Sequence, residues 1–281
     1  MSKLINNNKY FGEYFTGLFE GDGYIWIPTE LNLSKKKHNP RFTITFHKNN
    51  EKLALFIKKK LGDYGFIRKK IRENAVVLTI SEIKGLLIIL QFLHNNLKTP
   101  KIRQVNELIY WLNLYKNYNL KLEKLSSKLI NNKTAWLCGF VEADGCFFIR
   151  LSSNKKQRRI GFRFTIDQRL IDKKTGDDYF LVMEEIGIFL KTKVTIINRK
   201  KNNYSYYSIN SYNLINLKLI INYFNKFLLL GTKSLDFMDW SKGYYIYINR
   251  NKKITEELFI TIKDLKTQMN SQRKNFDYNL E

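Results

Sequence analysis

Apolar and polar residues follow two periods along this chain. Over 41–47 the sequence reads RFTITFH, with Phe42, Ile44 and Phe46 on one parity and Arg41, Thr43, Thr45 and His47 on the other. A period of two marks a strand with one face against a core. Similar alternation predicts strands over 24–27, 66–72 and 75–80, and apolar residues at helical spacing predict helices over 51–61, 83–94 and 100–115. The second half runs through the same series, with strands over 146–151, 160–166, 193–199 and 204–210 and helices near 178–190 and over 214–227.

Each series is preceded by one repeated segment. FTGLFEGDGYIWI at 15–27 matches LCGFVEADGCFFI at 137–149, an offset of 122, so the chain reads as an internal duplication. The expected class is α+β, with each half running α-β-β-α-β-β-α. The N-terminal repeat spans 1–116, a Lys-, Asn- and Ser-rich linker 117–133, and the C-terminal repeat 134–281, ending in a partly helical tail from 252 onward. Gly17 and Gly21, like Gly139 and Ala143, are small residues one helical turn apart. That spacing lets two helices approach closely, and the economical packing is of one motif helix on the other near Gly17 and Gly139. Gly23 and Gly145 are expected to end these helices as C-terminal glycines.

This packing sets Asp22 and Asp144 side by side at two helix C-termini. Each carboxylate then meets the negative end of a helix dipole as well as its twin, which is unfavourable without a cation. A hard, oxygen-ligated ion such as Mg²⁺ resolves the conflict, and paired acids under a basic surface suit metal-assisted hydrolysis of a phosphodiester.

Charge supports that chemistry. The 281 residues carry 49 Lys+Arg against 25 Asp+Glu, a net +24 divided as +13 over 1–130 and +11 over 131–281. Such an excess calls for a polyanion, either nucleic acid or an anionic membrane. The cations alternate along strands: Arg68, Lys70 and Arg72 share a parity, Arg163 alternates with Phe162 and Phe164, and Lys193, Thr195, Arg199 and Lys201 share another. A solvated outer face gives this pattern on one strand; repeated over four, it describes a surface for phosphates and base edges and removes the case for a membrane. The longest apolar run, 85–90, is too short to span a bilayer, and the first residues resemble neither a signal nor a transit peptide. Cys138 and Cys146 build no disulfide framework or zinc site, which suggests a reducing compartment. Four Ala and three Pro indicate AT-rich coding, for which an organelle, an AT-rich bacterium or a nuclear genome are all sources.

FTGLFEGDG and LCGFVEADG resemble the doubled signature of LAGLIDADG homing endonucleases. TITFHKNN, LKTPKIRQVNELIYWLN, FTIDQR and LLGTKSLDFMDW are similar to segments of organellar group I intron endonucleases and maturases, so the resemblance covers nearly the whole chain. It implies a monomer whose two saddle-shaped antiparallel sheets straddle duplex DNA. Asp22 and Asp144 become metal ligands for Mg²⁺ or another divalent cation such as Mn²⁺, with the Gly21 and Ala143 carbonyls completing the site. Lys101 in KTPK and Lys233 in GTKS, 79 and 89 residues beyond their Asp, are implied to hold the scissile phosphates. Gln168 is implied to orient water, with His47 or Lys48 in its place in the first half. Glu20 and Glu142 fit a structural role at the helix ends. DNA contacts are expected from Tyr24, Trp26, Arg41, Thr43, Thr45, His47, Arg68, Lys70 and Arg72, and from Arg150, Arg163, Thr165, Lys193, Arg199 and Lys201. Trp111, Trp136 and Trp240 read as core, and His38 and His94 as surface or structural.

The implied function is cleavage of one phosphodiester per strand at a long asymmetric intron-insertion site, in a mitochondrion or another organelle. The alternative is an RNA-binding maturase that assists splicing of its host group I intron RNA, with or without cleavage. A transcription regulator on the same scaffold would lack the acids and carry a helix-turn-helix, and neither departure occurs.

Overall fold

The computed structural model describes residues 7–29, 38–154, 157–199, 204–251, 253–278 and 280. The first half runs α1 (Asn8–Asp22), β1 (Gly23–Trp26), β2 (Arg41–His47), α2 (Glu51–Lys60), β3 (Phe66–Lys70), β4 (Ala75–Ile80), α3 (Ile83–Leu93) and α4 (Ile102–Lys116). The second runs α5 (Trp136–Asp144), β5 (Gly145–Ser153), β6 (Arg158–Arg169), α6 (Phe180–Phe189), β7 (Val194–Arg199), β8 (Tyr204–Ser211), α7 (Leu214–Lys226), α8 (Lys233–Ile248) and α9 (Glu256–Thr267). The class is α+β: two four-stranded antiparallel sheets, ordered β1-β2-β4-β3 and β5-β6-β8-β7. The duplication extends to register, since Gly23 pairs with Ile44 and Gly145 with Ile166.

Three elements differ from the sequence expectation. The second half closes with one helix more than its expected series, α8, the counterpart of α4, which lies where a helix is expected over 100–115; α9 falls in the tail read as partly helical. The strand expected over 66–72 stops at Lys70, because 71–73 form a 3-10 turn that leaves through Asn74 at φ 49°. Arg72 therefore sits in a turn. In the second half β6 reaches from Arg158 to Arg169, further at both ends than 160–166.

One face of each sheet is core. Phe42, Ile44, Leu78 and Ile80 in the first half and Phe147, Phe162, Phe164 and Ile209 in the second are buried under helices. Phe15 of α1 lies 5.7 Å from Phe42, and Trp240 of α8 lies 5.2 Å from Phe147, ring centre to ring centre. Full burial of such a side chain contributes about 1.5–3 kcal/mol, so this aromatic layer fixes each sheet on its helices.

The two halves meet through α1 and α5, and there glycine is obligatory. A Cβ on Gly17 would stand 2.0 Å from the Trp136 carbonyl oxygen, one on Gly139 would stand 1.8 Å from that of Tyr14, and one on Gly21 would stand 2.2 Å from the Ala143 Cβ. Glu13 adds a polar tie, accepting the Ala135 backbone N–H at 2.8 Å and so capping the start of α5 from the opposite helix. Gly23 and Gly145 do end the helices, but in extended conformation, φ −81° and −84°, and not in the left-handed one expected. They are glycine for want of space: a Cβ would lie 2.3 Å from the Phe19 ring and 2.5 Å from Val141 Cγ1.

Linker and tail are both docked. Asn113 and Asn106, two turns apart on α4, each exchange a pair of hydrogen bonds with the backbone of the linker, at Leu120 and Glu123. The tail packs Ile262, Leu265 and Met269 into the second half and then returns to the first. There the Tyr278 hydroxyl accepts the Leu53 backbone N–H at 3.1 Å, in the first turn of α2, while Asp277 pairs with Lys52 at 2.8 Å. Among the described residues no helix is long and apolar enough to cross a membrane.

Candidate active site

Because α1 and α5 end where β1 and β5 begin, Asp22 and Asp144 project from the helix crossing to the base of the two sheets. Asp22 keeps solvent contact on one side while protein crowds the other; Asp144 is half-buried. Burial, and then the Asp22 carboxylate, push Asp144 up from 3.8 to about 6. Burial raises Asp22 also, against the pull of Lys233 and Lys101. Both acids are thus held up by burial, Asp144 further by Asp22, in a crowded site flanked by ammonium groups, an arrangement that additional positive charge would relieve.

The lysines occupy the helix ends. Lys101, buried at the start of α4, gives its ammonium to the carbonyls of Phe19, Gly21 and Gly23 at 3.1, 2.6 and 2.8 Å. Lys233, at the start of α8, reaches Val141 and Ala143 at 2.8 and 3.1 Å. Both satisfy the orphan carbonyls of a helix C-terminus and complement its dipole. Burial lowers Lys101 from 10.5 to about 8 despite Asp144, Asp22 and Glu20 nearby. Lys101 thus engages three carbonyls, the full donor count of an ammonium, and Lys233 two.

Gln168 is buried at the end of β6 and its amide donates to Asp144 at 3.0 Å. Register identifies its first-half counterpart: Ile44 corresponds to Ile166, so Gln168 corresponds to Phe46, which is buried core. His47 is one residue too far, corresponds to Arg169, and accepts the Asn49 backbone N–H at 3.4 Å. The two half-sites are therefore chemically unequal.

Whether a divalent cation suits this donor set can be judged from the oxygens. Two carboxylates, each with a helix-terminal carbonyl one residue before it, form a hard oxygen set with excess negative charge. The carbonyls of Gly21 and Ala143 already accept a lysine, but a carbonyl has two lone pairs. Among the described residues no three His, Cys, Asp or Glu converge on a point, so water or substrate oxygens would complete the coordination, as Mg²⁺ prefers.

Pairing places Tyr24, Trp26, Arg41, Thr43, Thr45, His47, Arg68 and Lys70 on the same face of the first sheet, opposite its core. Lys70 is partly neutralised by Glu73 at 2.9 Å. On the second sheet the equivalent face carries Arg150, Arg163, Thr165 and Arg199; Thr165 is buried there, and Lys193 precedes β7. Lys201 lies outside the described residues. The face also holds residues the sequence reading omitted: Arg159, Arg169, Phe148 and Tyr206. Extending the parity of β6 to its true ends would have found both arginines. Trp26 lies 4.8 Å from the Arg41 guanidinium and Phe148 lies 4.3 Å from that of Arg163, an aromatic–arginine pair at one register position in both sheets.

The sequence model of the LAGLIDADG endonuclease family matches residues 15–112 and 137–244. The intron-encoded DNA endonuclease aI3 of Saccharomyces cerevisiae is 29% identical over 89% of this chain, which spans 66% of that relative's length. A cox1 intron-2 protein of Schizosaccharomyces pombe is 30% identical over 92% of this chain and 72% of its own length. Among solved structures, the LAGLIDADG homing endonuclease I-GzeII in complex with its DNA target superposes with a TM-score of 0.70, at 20% identity, over 94% of this chain and 99% of that one. I-SmaMI bound to cleaved DNA gives 0.71 at 21% identity, over 94% and 98%. With two matched motif segments on two matched sheets, the chain belongs to the LAGLIDADG endonuclease family.

Proposed function

We propose that this protein is a monomeric, site-specific endonuclease that hydrolyses one phosphodiester in each strand of a long, asymmetric duplex DNA target, acting in a mitochondrion or another organelle. One observation carries the proposal: Asp22 and Asp144 end adjoining helices directly beneath two cationic sheet faces that differ in sequence. Asp22 and Asp144, with the carbonyls of Gly21 and Ala143, would hold Mg²⁺ or a similar divalent ion. When bound, such ions stabilise the attacking and leaving oxygens of an in-line displacement.

The chain's own groups do the rest. Gln168 holds Asp144 through one amide hydrogen, which aims that carboxylate and leaves the second amide hydrogen for water. Lys233, with two of its three N–H groups on carbonyls, keeps the third for a phosphate oxygen; Lys101 must exchange a carbonyl to do the same. Arginines on the sheet faces read base edges while lysines neutralise phosphates. The names of the relatives and the DNA in the neighbouring structures favour cleavage over the RNA-splicing alternative.

A randomised duplex library tests the proposal. Incubation with Mg²⁺ should yield double-strand breaks at one recurrent, non-palindromic sequence, and chelator should abolish them. Breaks that persist in chelator, or that scatter without a common sequence, would contradict it.

A further inference from the structure

The motif helices carry a second matched pair besides the acids. Tyr14 stands one position before Phe15 and Trp136 one position before Leu137, again 122 apart. Each reaches across the crossing to the glutamate of the opposite helix: Trp136 Nε1 donates to Glu20 at 2.6 Å and the Tyr14 hydroxyl to Glu142 at 3.3 Å. All four side chains are buried. Each glutamate in turn holds the loop that leads to the lysine of its own half. Glu20 accepts the backbone N–H groups of Lys98 and Thr99 at 2.8 and 2.5 Å and the Thr99 hydroxyl at 2.7 Å, just before Lys101. Glu142 accepts those of Leu230 and Gly231 at 2.8 and 3.1 Å, just before Lys233.

We propose that Trp136 and Tyr14 are positioning residues that act across the domain interface. Trp136 of the second half orients Glu20, and through it the loop that sets Lys101 of the first; Tyr14 does the same for Glu142 and Lys233. A buried aromatic serving only as core would be indifferent to its polar atom, yet here both polar atoms meet a carboxylate, at equivalent positions, from the opposite helix. Hydrogen bonds to a buried carboxylate are strong and directional, so loss of one member shifts the rest of the network. The two arms are unequal: Glu20 receives donors on both oxygens, whereas Glu142 Oε1 is buried and meets no hydrogen-bond partner among the described residues. Each active half-site is thus built with a residue from the other half, which would keep an incompletely docked molecule from cutting one strand alone.

The inference rests on Lys101 and Lys233 serving the scissile phosphates, and the test separates the two claims. On the duplex recovered by selection, single-turnover cleavage is followed with each strand labelled separately. Trp136→Phe should slow one strand roughly tenfold, the size of a hydrogen bond to a charged group. That strand should be the one slowed by Lys101→Ala and by Glu20→Gln. Tyr14→Phe should slow the other strand, and duplex affinity in chelator should stay within about twofold of the parent for both aromatic variants, since neither group lies on the sheet faces. The ratio of the two strand rates is an internal control against partial misfolding. Equal slowing of both strands by Trp136→Phe, or slowing of neither while Lys101→Ala slows one, would overturn the relay. If Lys101→Ala spares both strands, the lysine assignment itself fails, and the relay with it.

Discussion

Asp144 shows how far a single side chain departs from its solution chemistry. Its carboxyl is held at about 6 in the folded chain against 3.8 for the ordinary residue, by burial first and Asp22 second. The folded state therefore keeps a proton that the unfolded state gives up. This contribution to stability is complete below about pH 4 and is lost as pH rises through about 6. Asp144→Asn, which cannot ionise, should make the metal-free protein more stable at pH 7 by on the order of 1–3 kcal/mol, with the advantage vanishing near pH 4. Urea denaturation of both proteins in chelator at the two pH values checks this, and an equal midpoint at pH 7 would refute it. The same residue was legible in the sequence, because its place before Gly145 in a repeated segment leaves one reading. Gln168 is harder: the sequence points to His47 or Lys48 for its partner position, and only strand register identifies Phe46. The contacts of Glu20 were not legible, since they join residues 78, 79 and 116 positions away and follow no period.

Elements are fixed more by space than by propensity. The crossing of α1 and α5 admits no side chain at Gly17, so Gly17→Ala should cost about 3 kcal/mol or more, since the clash is with backbone and neither helix can yield alone. Gly161→Ala is the matched control: its Cβ would have no neighbour closer than 4.0 Å, and its effect on the thermal midpoint should be slight. A similar loss at both sites would show that the crossing is looser than described. The spacing of small residues made this contact readable in advance, whereas the destination of the tail was not. Tyr278 supplies from 225 residues away the hydroxyl that accepts an N–H in the first turn of α2, where the Asn50 side chain makes no cap and turns instead to Thr232. Tyr278→Phe should therefore cost roughly 1 kcal/mol, the worth of a helix cap, by chemical denaturation. No change would mean that the tail holds α2 through packing and Asp277 alone.

At the scale of the molecule, the +24 charge acquires an arrangement. Its two nearly equal shares fall to the two halves of the duplication, and the sheet of each half carries an arginine–aromatic pair at the same register position. Architecture and family could be read from the duplication because every part of it appears twice. What differs between the halves had to come from tertiary structure: Gln168 against Phe46, three lysine contacts against two, and an oxygen of Glu142, unlike those of Glu20, without a partner among the described residues. The measurement closest to the centre of this account is cleavage and binding of one recovered duplex by the parent, Asp22→Asn and Asp144→Asn. Both variants should bind the duplex as tightly as the parent and produce no double-strand break in Mg²⁺. Unimpaired double-strand cleavage by either one would contradict the pairing of these acids as the active site.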